Sequence, residues 1–206
     1  MKREILIATT NPGKIAELSS MLEADVRWAS LADFDGIDEI EEDGTTFAEN
    51  ARKKAGGYAK ATGLWTIADD SGLVVDALRG EPGVKSARFS GEKEADRALL
   101  DHKNMVKVLK LLEDIPKEKR TARFVCHLCL ASPDRILAET EGTLEGLIAE
   151  EEIGENGFGY DPIFFVPDLN KTVAQLTREE KNAISHRGNA IRKLKPLLDE
   201  FLASQE

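Results

Sequence analysis

Two aspartates stand side by side at Asp69 and Asp70, after the apolar run Leu64 to Ala68 and before Ser71-Gly72. Like charges in sequence repel, so the pair calls for a cation. Carboxylates gathered at a strand end suit a magnesium ion, provided phosphates or further acids complete its oxygen shell. Glu42, in the acidic stretch 33–43, is the third carboxylate that such a site would draw on. The bland alternative is a turn in which one aspartate caps and the other faces water. A second cluster lies at Thr9, Thr10, Asn11, Pro12, Gly13 and Lys14. A lysine in the first turn of a helix sits at the positive end of the helix dipole, and it gains if an anion bridges it and the helix-start amides. The spacing is not that of a Walker loop. Lys54 is a further cation, on a helix face that would equally suit a surface lysine.

The segment Gly157-Phe158-Gly159-Tyr160-Asp161 sets two aromatics between glycines. Exposed aromatics offer a stacking surface for a base, although either ring could plug the core instead. Lys181, His186 and Arg187 follow within one short stretch and read as an anion or carbonyl site, or as ordinary surface charge. Taken together, a carboxylate pair, a phosphate-type turn and an aromatic loop ask for a metal-bound polyphosphate with a base attached.

The elements that must position these groups can be read from periodicity and caps. Lys2 to Thr9 predicts a strand, Asn11-Pro12-Gly13 a turn, and 14–23 an amphipathic helix. Residues 46–63 predict a second helix closed near Gly63, and 64–68 a strand that ends at the aspartates, with Ser71-Gly72 as a tight turn. A helix is expected over 98–112, and strands over 121–131, 135–140 and 144–149, the first two joined at Ser132-Pro133-Asp134. Residues 163–166 read as a strand. Thr177 with Glu180 forms a capping box, and 189–202 is the last helix. This order predicts an α/β fold with a mixed sheet, in two lobes.

Composition bounds the function. The chain of 206 residues carries a net charge of -10, with 41% apolar and 32% charged residues. That balance argues against a nucleic-acid polymer as partner, since polymer binding draws on excess lysine and arginine. A small anion needs only a local cluster of cations. No apolar run is long enough to span a membrane. Cys126 and Cys129 have Cys-x-x-Cys spacing, but within a strand they would point to opposite faces, and no second pair completes a zinc set. Two reduced cysteines fit a cytoplasmic protein.

Five stretches in order, ATTNPGK at 8–14, DDSG at 69–72, PGVKSARFSG at 82–91, GFGYDPIFF at 157–165 and LTREEKNAISHRG at 176–188, resemble the inosine triphosphate pyrophosphatase (HAM1-like) family. The resemblance implies a single domain over 1–206 with a long central mixed sheet flanked by helices, its two α/β lobes set around a nucleotide-binding cleft, usually in a homodimer. It implies Mg²⁺-dependent hydrolysis of ITP, dITP and XTP to the monophosphate and pyrophosphate, which cleanses the nucleotide pool. By the same resemblance, Thr9 to Lys14 and Lys54 would hold the triphosphate. Glu42 and Asp70 would bind the metal, with Asp69 beside them, and Asp70 would accept the proton. Ser71 would touch the substrate. Phe158, Gly159, Tyr160, Asp161, Lys181, His186 and Arg187 would build the base pocket. Glu155 and Asn156 depart from the threonine and glycine that often precede this loop in the family. Two other readings remain open at this stage: release of the terminal phosphate, and nucleotide binding without turnover.

Overall fold

The computed structural model describes residues 2–93 and 96–204. The strands are β1 (Glu4–Ile7), β2 (Arg27–Ser30), β3 (Trp65–Val75), β4 (Thr121–Ala131), β5 (Ile136–Ile148), β6 (Phe164–Val166) and β7 (Lys171–Thr172). The helices are α1 (Pro12–Leu22), α2 (Phe47–Thr62), α3 (Arg97–Leu111), α4 (Arg178–Ile184) and α5 (His186–Ala203). The strands form one sheet in the order β2-β1-β3-β4-β5-β6-β7. β1 pairs in parallel with β2 and β3, whereas β6 pairs antiparallel with β5 and β7. The sheet is therefore open and mixed, as expected from the sequence.

The chain divides into two compact units. The first comprises Met1–Asp70, Cys126–Gly142 and His186–Glu206; the second comprises Ser71–Val125 and Thr143–Ser185. In the first unit the sheet is covered on both faces. Ile5, Ile7, Ile67, Cys126, Leu128 and Leu130 meet Leu18 and Leu22 of α1 and Ile191, Leu194 and Leu198 of α5. On the other face Leu6, Ala8, Ala68, Cys129 and Ala131 meet Ala51, Ala55, Tyr58 and Ala59 of α2. The alanines recur at every fourth position, so α2 presents a smooth stripe to the strands. Cys126 and Cys129 pack on opposite faces, both as free thiols. In the second unit Leu73, Val75, Phe124, Ile148 and Phe164 pack with Met105 and Val108 of α3 and with Leu112 just past its end.

The local signals at helix ends behave as their chemistry requires. Asn11 caps α1 by accepting from the amides of Gly13 and Lys14. Thr46 with Glu49 and Thr177 with Glu180 form capping boxes on α2 and α4. Gly63 ends α2 at φ 73°, the left-handed conformation that glycine adopts without penalty.

Two expectations fail in the strands. β3 does not stop at Ala68; it runs through Asp69-Asp70-Ser71-Gly72 to Val75. The expected turn is absent because Gly72 serves a different need: a Cβ there would strike the Ser86 side chain and the Gly83 carbonyl. A glycine inside a strand marks such a close approach. β5 likewise runs unbroken from Ile136 to Ile148, where two strands were expected. Gly142 in its middle lets α5 come close, since a Cβ would meet the His186 carbonyl oxygen and the Ala190 amide nitrogen.

This packing sets a test. Those obstacles at Gly142 are backbone atoms and cannot rotate away, so Gly142→Ala should cost roughly 1–3 kcal/mol. That corresponds to a fall of about 3–10 °C in melting temperature. Gly56, inside α2 with open space around it, is the control, and Gly56→Ala should stabilise by about 0.4–1 kcal/mol. Equal melting shifts for the two variants would contradict the close approach.

Candidate active site

Because β3 continues through the aspartates, its pleat separates them. Successive side chains on a strand point to opposite faces. Asp69 shares a face with Ile67, which packs toward α1 and α5; Asp70 shares a face with Ala68, which packs toward α2. Each acid thus faces different packing partners, and cations on both faces offset the repulsion expected from adjacency.

On the α1 and α5 face, Lys14 Nζ lies 2.9 Å from Asp69 Oδ2. Arg187 Nη2 lies 3.3 Å from the same oxygen, while its Nη1 donates to Glu17. Asp69 and Arg187 are 1% and 2% exposed, so two acids and two bases balance almost out of water's reach. Burial alone would raise the Asp69 pKa, but Lys14, Arg187 and Lys54 outweigh it and hold the carboxyl far below the usual range. Lys14 at a helix start is thereby explained: its charge turns toward a carboxylate.

On the α2 face, Asn50 is fully buried and bonded at both ends. Its Nδ2 donates to Asp70 Oδ2 at 2.9 Å, and its Oδ1 accepts from the Gly44 amide at 2.8 Å. The same helix face presents Lys54, whose Nζ is 3.1 Å from Glu42 Oε1 and 3.9 Å from Asp70 Oδ1. Burial works against the Lys54 charge, yet Asp69, Glu42 and Asp70 prevail and raise its pKa. For Asp70 the balance tips the other way. Burial pushes its carboxyl up to about 6, Glu42 adds to the rise, and Lys54 and Asn50 oppose it.

Glu42 and Asp70 therefore aim at one point that a cation already fills. Among the described residues, no group of three or more His, Cys, Asp or Glu side chains forms a ready metal cage. Two converging carboxylates are nonetheless the donor set that Mg²⁺ uses when substrate phosphates and waters complete its octahedron. The residues present fit that ion.

The second unit holds the aromatic loop. Phe158 is partly buried, and Lys181 Nζ lies 4.4 Å from its ring centroid. Asp161 Oδ2 accepts from the Phe158 amide at 2.9 Å and pairs with Lys181 Nζ at 2.8 Å. Gly157, at φ 82°, leaves room for that carboxylate, which an added Cβ would strike. Tyr160 is not a second exposed ring: it is 6% exposed, and its hydroxyl donates to the Ser86 carbonyl at 2.8 Å. Asn156 ties the loop down through its amide to the Ala174 carbonyl and its Nδ2 to the Leu176 carbonyl. The departure from the family pattern thus supplies an anchor.

The remaining expected residues divide between the units. Thr9 and Thr10 follow β1, and Thr9 Oγ1 accepts from the Asn11 amide at 3.2 Å. Asn11 itself occupies the Gly13 and Lys14 amides that a phosphate was expected to use. Pro12 opens α1. Ser71 is the first residue of the second unit, which also holds Lys181; His186 and Arg187 belong to the first. Sequence reading grouped Lys181, His186 and Arg187; the Arg187 guanidinium pairs with Glu17 and Asp69. Glu17 and Asn50 were missed. Both sit on ordinary helix faces, and only the three-dimensional contact marks them.

A profile of the Ham1 family matches residues 5–197. The chain is 48% identical over 204 residues to a protein of Desulforamulus reducens named dITP/XTP pyrophosphatase, covering 98% of this chain and 99% of that protein. A Bacillus subtilis protein of the same name is 52% identical over 200 residues, covering 96% and 98%. Two solved structures superpose on the fold. The Ham1 protein of Staphylococcus aureus gives a TM-score of 0.85 at 44% identity, and a HAM1 protein of Coxiella burnetii gives 0.86 at 42%. Each pair is covered over 96% of this chain and 99% of the other.

The two aspartates should respond oppositely to neutralisation. The folded state keeps the Asp70 proton up to about pH 6, whereas the unfolded chain loses it near 3.8. Stability therefore falls as pH rises through that window, by up to about 3 kcal/mol. Asp70→Asn should raise the melting temperature of metal-free protein at pH 7.5, with the gain vanishing near pH 4. Asp69 is depressed instead, so its contribution is present at neutral pH and lost only in strong acid. Asp69→Asn should cost about 3–5 kcal/mol at pH 7.5, because Lys14 and Arg187 lose their shared partner. Melting shifts of the same sign for both variants would refute this division.

Proposed function

The chain belongs to the Ham1 family, and we propose that it hydrolyses non-canonical purine nucleoside triphosphates (ITP, dITP and XTP) to the monophosphate and pyrophosphate with Mg²⁺ as cofactor. The observation that carries this reading is the separation of Asp69 from Asp70 by the β3 pleat. It yields one permanently ionised acid and one whose pKa of about 6 suits a base near neutral pH. Full-length similarity to proteins named dITP/XTP pyrophosphatase supports the substrate class.

In this reading Glu42 and Asp70 would hold Mg²⁺, which would neutralise phosphate charge and lower the pKa of water. Water attacks the α-phosphorus, its proton passes to Asp70, and the bond to the bridging oxygen breaks to release pyrophosphate. Lys54 stabilises the charge that builds on the leaving group. Lys14, with Thr9 to Gly13 around the start of α1, binds the triphosphate, while Asp69 and Arg187 hold Lys14 in place. Asn50 fixes the Asp70 carboxylate and the Gly44 amide, two residues beyond Glu42. Phe158 stacks on the base, with Lys181 and Asp161 orienting it, and the His186 side chain contributes to base selection. The amide of a loop glycine or a side-chain donor paired to a 6-oxo group would leave adenine's 6-amino group facing another donor, which discriminates strongly in a buried site.

A homodimer in the cytoplasm, acting on free nucleotides rather than on a nucleic-acid polymer or a membrane, completes the proposal. The net charge of -10 supports the exclusion of polymers. Among the described residues, no helix is long and apolar enough to cross a membrane.

The decisive assay offers ITP, XTP, dITP, GTP and ATP with Mg²⁺ and detects phosphate and pyrophosphate separately. Pyrophosphate should appear from the first three substrates and disappear with Asp70→Asn, which should still bind nucleotide. Phosphate as the first product would select the terminal-phosphate reading, and saturable binding without product would select a sensor. Phe158→Ala should raise KM about tenfold, in line with the worth of one stacked base, while kcat changes little.

A further inference from the structure

Between Gly157 at φ 82° and Gly159 at φ 63°, Phe158 sits on the two most permissive residues a chain can offer. Left-handed glycines place a side chain only where something else holds the backbone, because glycine has more conformational freedom to lose than any other residue. Three anchors belong to the loop and its immediate partners: Asn156 bonds the Ala174 and Leu176 carbonyls, Asp161 takes the Phe158 amide, and the Tyr160 hydroxyl reaches the Ser86 carbonyl. A further anchor comes from α3. Asp101 is 7% exposed. Its Oδ2 accepts from the Gly159 amide at 2.9 Å, while its Oδ1 pairs with Arg97 Nε at 3.0 Å.

The two oxygens therefore have separate work. Arg97 is more than half exposed, and it steadies a carboxylate that burial disfavours. A surface ion pair one helical turn apart would not need burial, and its worth would be small. The inward oxygen lies at the hinge of the aromatic loop, on the residue next to the stacking ring. We propose that Asp101 is a positioning residue that fixes the Gly159 amide and thereby presents the Phe158 ring to the purine base. It shapes recognition of the base and takes no part in the chemistry at phosphorus. The proposal rests on the reading that Phe158 stacks on the substrate.

Steady-state kinetics with XTP and Mg²⁺ test it, paired with competitive inhibition by inorganic tripolyphosphate, which carries the phosphates and no base. Asp101→Ala should raise KM for XTP about tenfold, the loss expected for one hydrogen bond to a charged acceptor. Its kcat and the tripolyphosphate inhibition constant should stay near wild type. Asp101→Asn retains an acceptor for the amide and should rescue most of the KM, and Arg97→Ala should change it little. In a Phe158→Ala background Asp101→Ala should add almost nothing, since both changes remove one interaction. Should Asp101→Ala fail to fold, Asp101→Glu keeps the charge but displaces the acceptor, and it carries the same expectation.

An unchanged KM in a folded variant, an equal loss for tripolyphosphate, or fully multiplicative losses in the double variant would each overturn the positioning role. A loss in Asp101→Asn as large as in Asp101→Ala would overturn it too. Wild-type protein that releases no pyrophosphate would instead bring down the functional reading, and this inference with it.

Discussion

The structure of the first unit turns on a buried guanidinium. Arg187 is 2% exposed, and a charge in that position is tolerable only if it is paired and hydrogen-bonded. Glu17 from α1 and Asp69 from β3 supply the pairs, and Lys14 from α1 balances the second acid. Four side chains from three elements thus fix α1, β3 and the start of α5 together. The thiol of Cys126 lies in the same surroundings, and burial pushes it up to about 12, so it stays inert filling. Gly142 belongs to the same arrangement, since its missing Cβ admits the backbone of α5 that carries Arg187.

From that anchor follows the difference between two residues of the same type. Asp69 is consumed by the network; it is permanently charged and structurally committed. Asp70, one residue on, faces α2; Lys54 at 3.9 Å, the Asn50 amide and Lys14 favour its charge, while burial and Glu42 oppose it and prevail. Its ionised form therefore costs stability. The pleat of a strand, with its period of two, is enough to turn a repulsive pair into two separate environments. A turn at this point, as the Ser-Gly dipeptide suggests, would have left both acids exposed with ordinary pKa values.

Elements with strong local chemistry were legible in the sequence. Thr177 with Glu180 marks a helix start because each satisfies an amide of the other within three residues, and β4 lies where its apolar run lies; Asn11, read as part of a turn, instead caps α1, which begins at Pro12 rather than after the turn. Glycines inside β3 and β5 misled, because the same residue serves a turn and a close approach, and only the packed partner tells which. Tyr160 and Phe158 show the same limit. Both aromatics flank Gly159, but one ring fills the core of the second unit and the other remains partly exposed. The supports of the proposed site residues did not show in the sequence. Glu17, Asn50 and Asp101 lie on helix faces, and each acts on a group distant in sequence. Arg97 and Asp101 have the spacing of a surface ion pair, which conceals the second oxygen's partner.

The α2 face bears on the proposed metal site in the same way. Glu42 and Asp70 bring two carboxylates to the one ammonium of Lys54. Mg²⁺ ordinarily takes only one or two carboxylates when phosphates are present, so under the proposal this pair would suffice for the ion once a triphosphate shares it. A third carboxylate at this point would add repulsion against a triphosphate, whose charge Lys54 would otherwise meet. The protonation of Asp70 belongs to the same balance, since burial raises its pKa to about 6 and a protonated carboxyl is a poor ligand for a cation.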